Sequence, residues 1–127
     1  MSRTAISSSS APAAIGPYSQ AVKAGSMVFM SGQIPLDPAT GAMIEGDISD
    51  QARRVFENLK AVCEAAGGSF EQVVRVGIFM TDLGHFAEVN AVMADYFQPP
   101  FPARATVQVS ALPKGAEVEV DAIMVLD

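Results

Sequence analysis

The chain has 127 residues, half of them hydrophobic and 17% charged, with a formal net charge of −6. That length fits one domain over residues 1–127 with a real core, and the acidic balance disfavours nucleic acid, which is bound by neutralising phosphates. One cysteine, Cys63, excludes a disulfide framework or a thiolate metal cluster.

No apolar stretch approaches the ~20 residues that span a bilayer, so no membrane partner is expected. The N-terminus shows no charged segment followed by an apolar run, and the expected setting is cytoplasmic. So small a domain cannot hide that many apolar side chains without leaving patches, and large patches become interfaces. The composition therefore predicts a homo-oligomer.

In chain order, Met1 to Ile6 can form a short first strand, and residues 7–14, four serines and then Ala-Pro-Ala-Ala, a small-residue loop with freedom to move. Gly16-Pro17 sets a tight turn from which Tyr18-Ser19-Gln20-Ala21-Val22 leads into a strand. Tyr18 is either a half-buried aromatic with a surface hydroxyl or a hydrogen-bond donor inside a pocket. Lys23-Ala24-Gly25-Ser26 predicts a hairpin turn into Met27-Val28-Phe29-Met30, a run apolar on both faces that suits a central strand covered on both sides. The run stops at Ser31-Gly32-Gln33-Ile34-Pro35, where Gly32 allows a bulge or the close approach of a ligand or second chain. Residues 37–41, Asp-Pro-Ala-Thr-Gly, read as a solvated turn.

Asp47 or Ser49 is expected to cap a helix from Asp50 to about Ala66, with Val55, Leu59, Val62, Cys63 and Ala66 on its buried face. On that stripe Cys63 is a small core residue rather than a nucleophile. Gly67-Gly68 ends the helix. A helical turn over Phe70–Val73 and a strand over Val74–Met80 follow, closed by Thr81-Asp82-Leu83-Gly84. A second helix is predicted from about His85 to Phe97, with Phe86, Val89, Met93 and Phe97 toward the core. His85, the single histidine, is given a surface role. Asn90 borders the buried face, as a solvent-facing amide or as a donor at a pocket edge.

From Phe101 to Asp121 the pattern reads as a β-hairpin, two alternating arms separated by Leu112-Pro113-Lys114-Gly115. In that reading Arg104, Thr106 and Gln108 share a face of one arm, and Glu117, Glu119 and Asp121 a face of the other, forming a polar strip with one cation at its mouth. Pro99, Pro100 and Pro102 stiffen the backbone leading to Arg104. Arg104 is either a solvated surface residue or a clamp, since a guanidinium offers a carboxylate two parallel donors. The order β-β-β-α-β-α-β-β predicts an α+β two-layer sandwich, a mostly antiparallel sheet with two helices on one face. The other face needs another subunit.

Three stretches, taken together, resemble the reactive-intermediate deaminase (Rid, or YjgF) family: residues 16–21 (Gly-Pro-Tyr-Ser-Gln-Ala), residues 31–35 (Ser-Gly-Gln-Ile-Pro), and Phe101-Pro102-Ala103-Arg104 followed by residues 112–119. The similarity spans nearly the whole chain as a single Rid/YjgF-like domain and includes residues 86–90, Phe-Ala-Glu-Val-Asn. The resemblance implies a chorismate-mutase-like fold, a homotrimer with active sites in clefts between subunits, and no metal or organic cofactor. It implies hydrolysis of 2-imino acids such as 2-iminobutanoate and 2-iminopropanoate, products of pyridoxal-phosphate dehydratases, to 2-oxo acids and ammonia.

By position, Arg104 would bind the substrate carboxylate with backbone groups near Gly32, and Glu119 would place or activate water. Tyr18, Ser31 and Asn90 would line the pocket, and the backbone around Thr106 would meet the imine nitrogen. The family often carries cysteine where Thr106 stands, and the segment from Asn90 to Arg104 is shorter here than in typical members. The competing expectations are a non-catalytic small-molecule-binding or regulatory trimer and a ribonuclease, the latter disfavoured by the acidic balance.

Overall fold

The computed structural model describes residues 2–127, with the elements β1 (Thr4–Ile6), β2 (Ala21–Ala24), β3 (Met27–Gln33), α1 (Ile48–Ala65), β4 (Val73–Met80), α2 (Phe86–Ala94), β5 (Ala103–Gln108) and β6 (Val118–Val125). Met1, part of the expected first strand, lies outside the described residues. The element order is the expected one. The six strands form one sheet in the order β1-β2-β3-β6-β4-β5, antiparallel except for the pair β4 and β5. This is the α+β architecture anticipated, two helices over a mostly antiparallel sheet.

Local chemistry sets most of the boundaries. Ala24 pairs with Met27, so Gly25 and Ser26 make the two-residue turn, with Gly25 at φ 62° where a side chain would be strained. Asp47 caps α1 in a reciprocal capping box with Asp50, and the helix starts at Ile48, ahead of the expected Asp50. Ser49 plays no part in that cap. At the far end Ala66 is the C-cap, and Gly67 follows at φ 88°. Gly67 N–H donates to Glu64 O and Gly68 N–H to Cys63 O, which satisfies two terminal carbonyls.

The loop before β2, expected to be free, is tied down. Buried Gln20 accepts from Ser8 N–H at 2.6 Å and donates to the carbonyls of Ser8 and Pro12 at 3.1 and 2.7 Å. One glutamine amide thus does for this serine-rich segment what a strand partner would otherwise do.

The expected hairpin between β5 and β6 does not form, because β4 lies between them. The reason is α2. A helix between two strands makes a crossover unit, and a crossover brings its second strand back parallel to the first. β5 therefore takes the outer edge of β4, pairing Val76 with Arg104 and Ile78 with Thr106. β6 takes the inner edge, pairing Phe79 with Glu119 and Gly77 with Asp121. The predicted polar strip is split as a result.

Partners across a ladder point to the same side. Val76, Ile78 and Met80 are buried under the helices, which puts Arg104, Thr106 and Gln108 on the helix side. Glu119 and Asp121 pair with Phe79 and Gly77 and face the uncovered side.

The core lies between sheet and helices. Val28, Met30, Val118, Val120, Ala122 and Met124 meet Val55, Phe56, Leu59, Val62 and Cys63 of α1 and Val89, Val92 and Met93 of α2. Burying a leucine such as Leu59 contributes on the order of 2–3 kcal/mol. Phe97 is in the core, as expected, but it follows α2 rather than belonging to it. Phe86 is not in the core. It is 39% exposed, at the first residue of the helix.

The opposite sheet face is bare. Met27, Phe29 and Val107 are exposed on it, and Phe29 and Val107 line a shallow groove with Arg75, Phe79, Asp121 and Ile123. The expectation that β3 is covered on both sides therefore fails within one chain, where Val28 and Met30 are buried and Met27 and Phe29 are not.

Candidate functional site

Arg104 leaves β5 on the helix side and is received by α2. Its Nη1 donates to Asn90 Oδ1 at 2.6 Å and lies 3.6 Å from Met93 Sδ, while the guanidinium carbon stands over the Phe86 ring, 5.3 Å from its centre. Phe86, Asn90 and Met93 recur at i, i+4 and i+7, so one helical stripe presents all three to the strand. Among the described hydrogen bonds only Nη1 is engaged, which leaves the other guanidinium nitrogens to offer paired donors to an anion. A cavity of about 320 Å³ opens beside the group, lined by Asn90, Met93, Ala94, Phe101, Pro102 and Arg104. Thr106, two residues on, turns a buried Oγ1 toward the same side with no hydrogen-bond partner among the described residues.

A second cluster forms on the bare face. β3 and β6 lose register between Met30 and Gln33, and this irregularity places Gly32 against Glu119. A Cβ on Gly32 would collide with the Glu119 carboxylate. Ser31 Oγ donates to Ser19 O at 2.6 Å, so the segment carrying Tyr18 is held beside the bulge. Tyr18 itself is exposed.

Burial, and then the neighbouring Asp121, raise the Glu119 pKa from its ordinary value. Such a carboxylate is a better proton acceptor than a solvated one. Asp121 also stands where a side chain on Gly77 would be, with Oδ1 2.5 Å from that position.

The seven residues singled out in the sequence thus form two groups. Arg104, Asn90 and Thr106 gather on the helix side, and Tyr18, Ser31, Gly32 and Glu119 at the bulged end of β3. Within one chain the sheet separates them. Sequence reasoning missed Phe86 as a neighbour of Arg104; the shared stripe with Asn90 was the available signal. It also missed Asp121 as a modifier of Glu119, although alternation in β6 puts both on one face.

Other titratable groups offer less. The Cys63 thiol is buried and pushed up to about 12, so it is no nucleophile. His85 lies at the surface with Nδ1 3.0 Å from Glu88, whose hydrogen bond raises its pKa. Among the described residues no group of three metal-ligating side chains forms. Among the described residues no helix is long and apolar enough to cross a membrane.

Known proteins share both sequence and fold with this chain. The profile of the family described as Endoribonuclease L-PSP matches residues 8–126. Protein DfrA of Myxococcus xanthus is 64% identical over 127 residues, covering 98% of this chain and 97% of its own. The 2-iminobutanoate/2-iminopropanoate deaminase of Dermatophagoides farinae is 48% identical over 122 residues, covering 96% and 95%. The crystal structure of E. coli TdcF with bound serine superposes with a TM-score of 0.93 at 46% identity, covering 98% of this chain and 99% of that one. Motifs, fold and relatives agree over nearly the full length: the chain belongs to the Rid (YjgF) family.

Proposed function

We propose that this protein hydrolyses reactive 2-imino acids, such as 2-iminobutanoate and 2-iminopropanoate, to 2-oxo acids and ammonia. The observation that carries the reading is the Arg104 guanidinium, held by Asn90 with donors to spare beside an open cavity. A relative named for this activity and a structural neighbour with bound serine, itself a small carboxylate, support it.

Arg104 takes the substrate carboxylate and fixes the molecule by two parallel hydrogen bonds. The imine carbon is already electrophilic, so water needs placement more than activation, and orientation supplies much of the rate. Glu119 accepts a proton from the attacking water and returns one to the departing nitrogen, a task suited to its raised pKa. The hydroxyl proton of the resulting carbinolamine follows to nitrogen through the same carboxylate, so the carbon–nitrogen bond breaks as the carbon–oxygen bond becomes a carbonyl, and ammonia leaves. The backbone around Thr106 faces the imine nitrogen, while Tyr18, Ser31 and Gly32 wall the cleft.

Because Arg104 and Glu119 lie on opposite sides of one sheet, a single chain cannot bring both to one substrate. The reading therefore requires the homotrimer, with each cleft built where the β5–α2 edge of one copy, carrying Arg104, meets the bare face of another, carrying Glu119. A cytoplasmic setting, where such imines are generated, belongs to the same reading. Cleavage of RNA fits less well, since a net charge of −6 opposes binding to a phosphate backbone.

The test couples a threonine dehydratase to the protein and follows decay of the imine in competition with semicarbazide. The wild-type protein should accelerate decay, and Arg104→Ala should stay folded and lose the acceleration, the loss of a charged hydrogen bond worth roughly 2–4 kcal/mol. Equal decay with and without the wild-type protein would leave a carboxylate-binding trimer without hydrolysis.

A further inference from the structure

The first turn of α2 spends a large aromatic side chain in an unusual way. Phe86 is 39% exposed although a hydrophobic core lies under the same helix, and its ring stands 5.3 Å from the Arg104 guanidinium carbon. Val89, Val92 and Met93 supply the core contacts of this helix and are all buried. Phe86 is thus not needed to seat it.

We infer that Phe86 is a positioning residue, whose ring face holds the Arg104 guanidinium in the orientation that receives the substrate carboxylate. This rests on the proposed carboxylate-binding role of Arg104. Three groups of one helical stripe surround the cation: the amide oxygen of Asn90 at 2.6 Å, the Met93 sulfur at 3.6 Å and the Phe86 ring.

These groups act differently. Asn90 anchors one nitrogen by a hydrogen bond and uses up one of its donors. The ring attracts the cation through its quadrupole and takes no donor at all. A long exposed side chain otherwise samples many rotamers, and each must be given up when the carboxylate binds. A guanidinium held over a ring has lost that freedom beforehand, with its hydrogen-bonding capacity intact.

The ring does not act on the reacting atoms, so its removal should weaken carboxylate capture and spare the chemical step. The experiment compares Phe86→Leu, which keeps bulk without an aromatic face, with Phe86→Tyr, which keeps the face. Kinetics on the dehydratase-generated imine are measured beside calorimetric binding of 2-oxobutanoate, the product carboxylate. Phe86→Leu should raise KM and the 2-oxobutanoate Kd by about three- to tenfold, with kcat and the melting midpoint little changed. Phe86→Tyr should restore both constants.

Unchanged KM and Kd in Phe86→Leu would overturn the inference. So would Phe86→Tyr behaving like Phe86→Leu, or a drop in melting midpoint that accounts for the loss. Arg104→Ala separates the two levels. If it hydrolyses imine at the wild-type rate, the carboxylate clamp falls and this inference with it. If it is inactive while Phe86→Leu matches the wild type, the clamp stands and the positioning role alone is refuted.

Discussion

Gly32 has no room for a side chain because the Glu119 carboxylate occupies the place its Cβ would take. The pair is complementary: the missing side chain lets the backbone bulge close over the acid, and the closure contributes to the desolvation that raises its pKa. Gly32→Ala should therefore displace the carboxylate by an ångström or so and cut imine hydrolysis by about 10–100-fold. Steady-state kinetics of the folded variant would show it; a wild-type rate would mean that Glu119 has no fixed post. The raised pKa has a stability consequence too. A carboxyl whose folded pKa exceeds its unfolded one stabilises the fold below the ordinary carboxyl range, and that contribution is lost as pH rises through the folded value. Of the residues read from the sequence, Arg104 and Asn90 do meet, and Gly32 does touch Glu119. The residues themselves could be picked out because a loop glycine and proline-stiffened backbone leave local marks. Their grouping could not: the sequence set Gly32 beside Arg104 and joined Arg104 and Glu119 in one polar strip, whereas the strand order puts Arg104 and Glu119 on opposite sides. The role of Phe86 left only a faint mark, since an apolar residue at helical spacing ordinarily goes to the core.

At the scale of elements, helix α1 was the most readable. Its apolar stripe and its cap are properties of consecutive residues, and Val55, Leu59, Val62 and Cys63 are all fully buried. The cap gives a direct check. Asp47→Ala removes the acceptor for Asp50 N–H and breaks the reciprocal box, so it should cost about 1 kcal/mol. Urea denaturation would measure it, with the same slope and a lower midpoint. The pairing of β5 and β6 was misread for an equally physical reason. Alternation shows that a segment is a strand but carries no information about its neighbour, and adjacency in sequence favours the hairpin. The α2 crossover between β4 and β5 was visible in the element order, and its parallel outcome outweighs adjacency.

The whole molecule is asymmetric in its covering. One side of the sheet is sealed by α1 and α2, and the other shows Met27, Phe29 and Val107 to solvent. An apolar excess in the composition already required such a surface, although which strands would bear it depended on the strand order. Arg104 and Glu119 belong to the two different sides, and a hydrolytic centre that needs both is owned by no single polypeptide. Complementation follows. An Arg104→Ala chain still contributes an intact acid, and a Glu119→Gln chain an intact cation. Either variant alone should be inert, yet the two unfolded and refolded together should regain part of the imine hydrolysis, in hybrid assemblies where each supplies what the other lost. Persistent inactivity of mixtures shown by mass to contain hybrids would mean that both groups serve from the same chain.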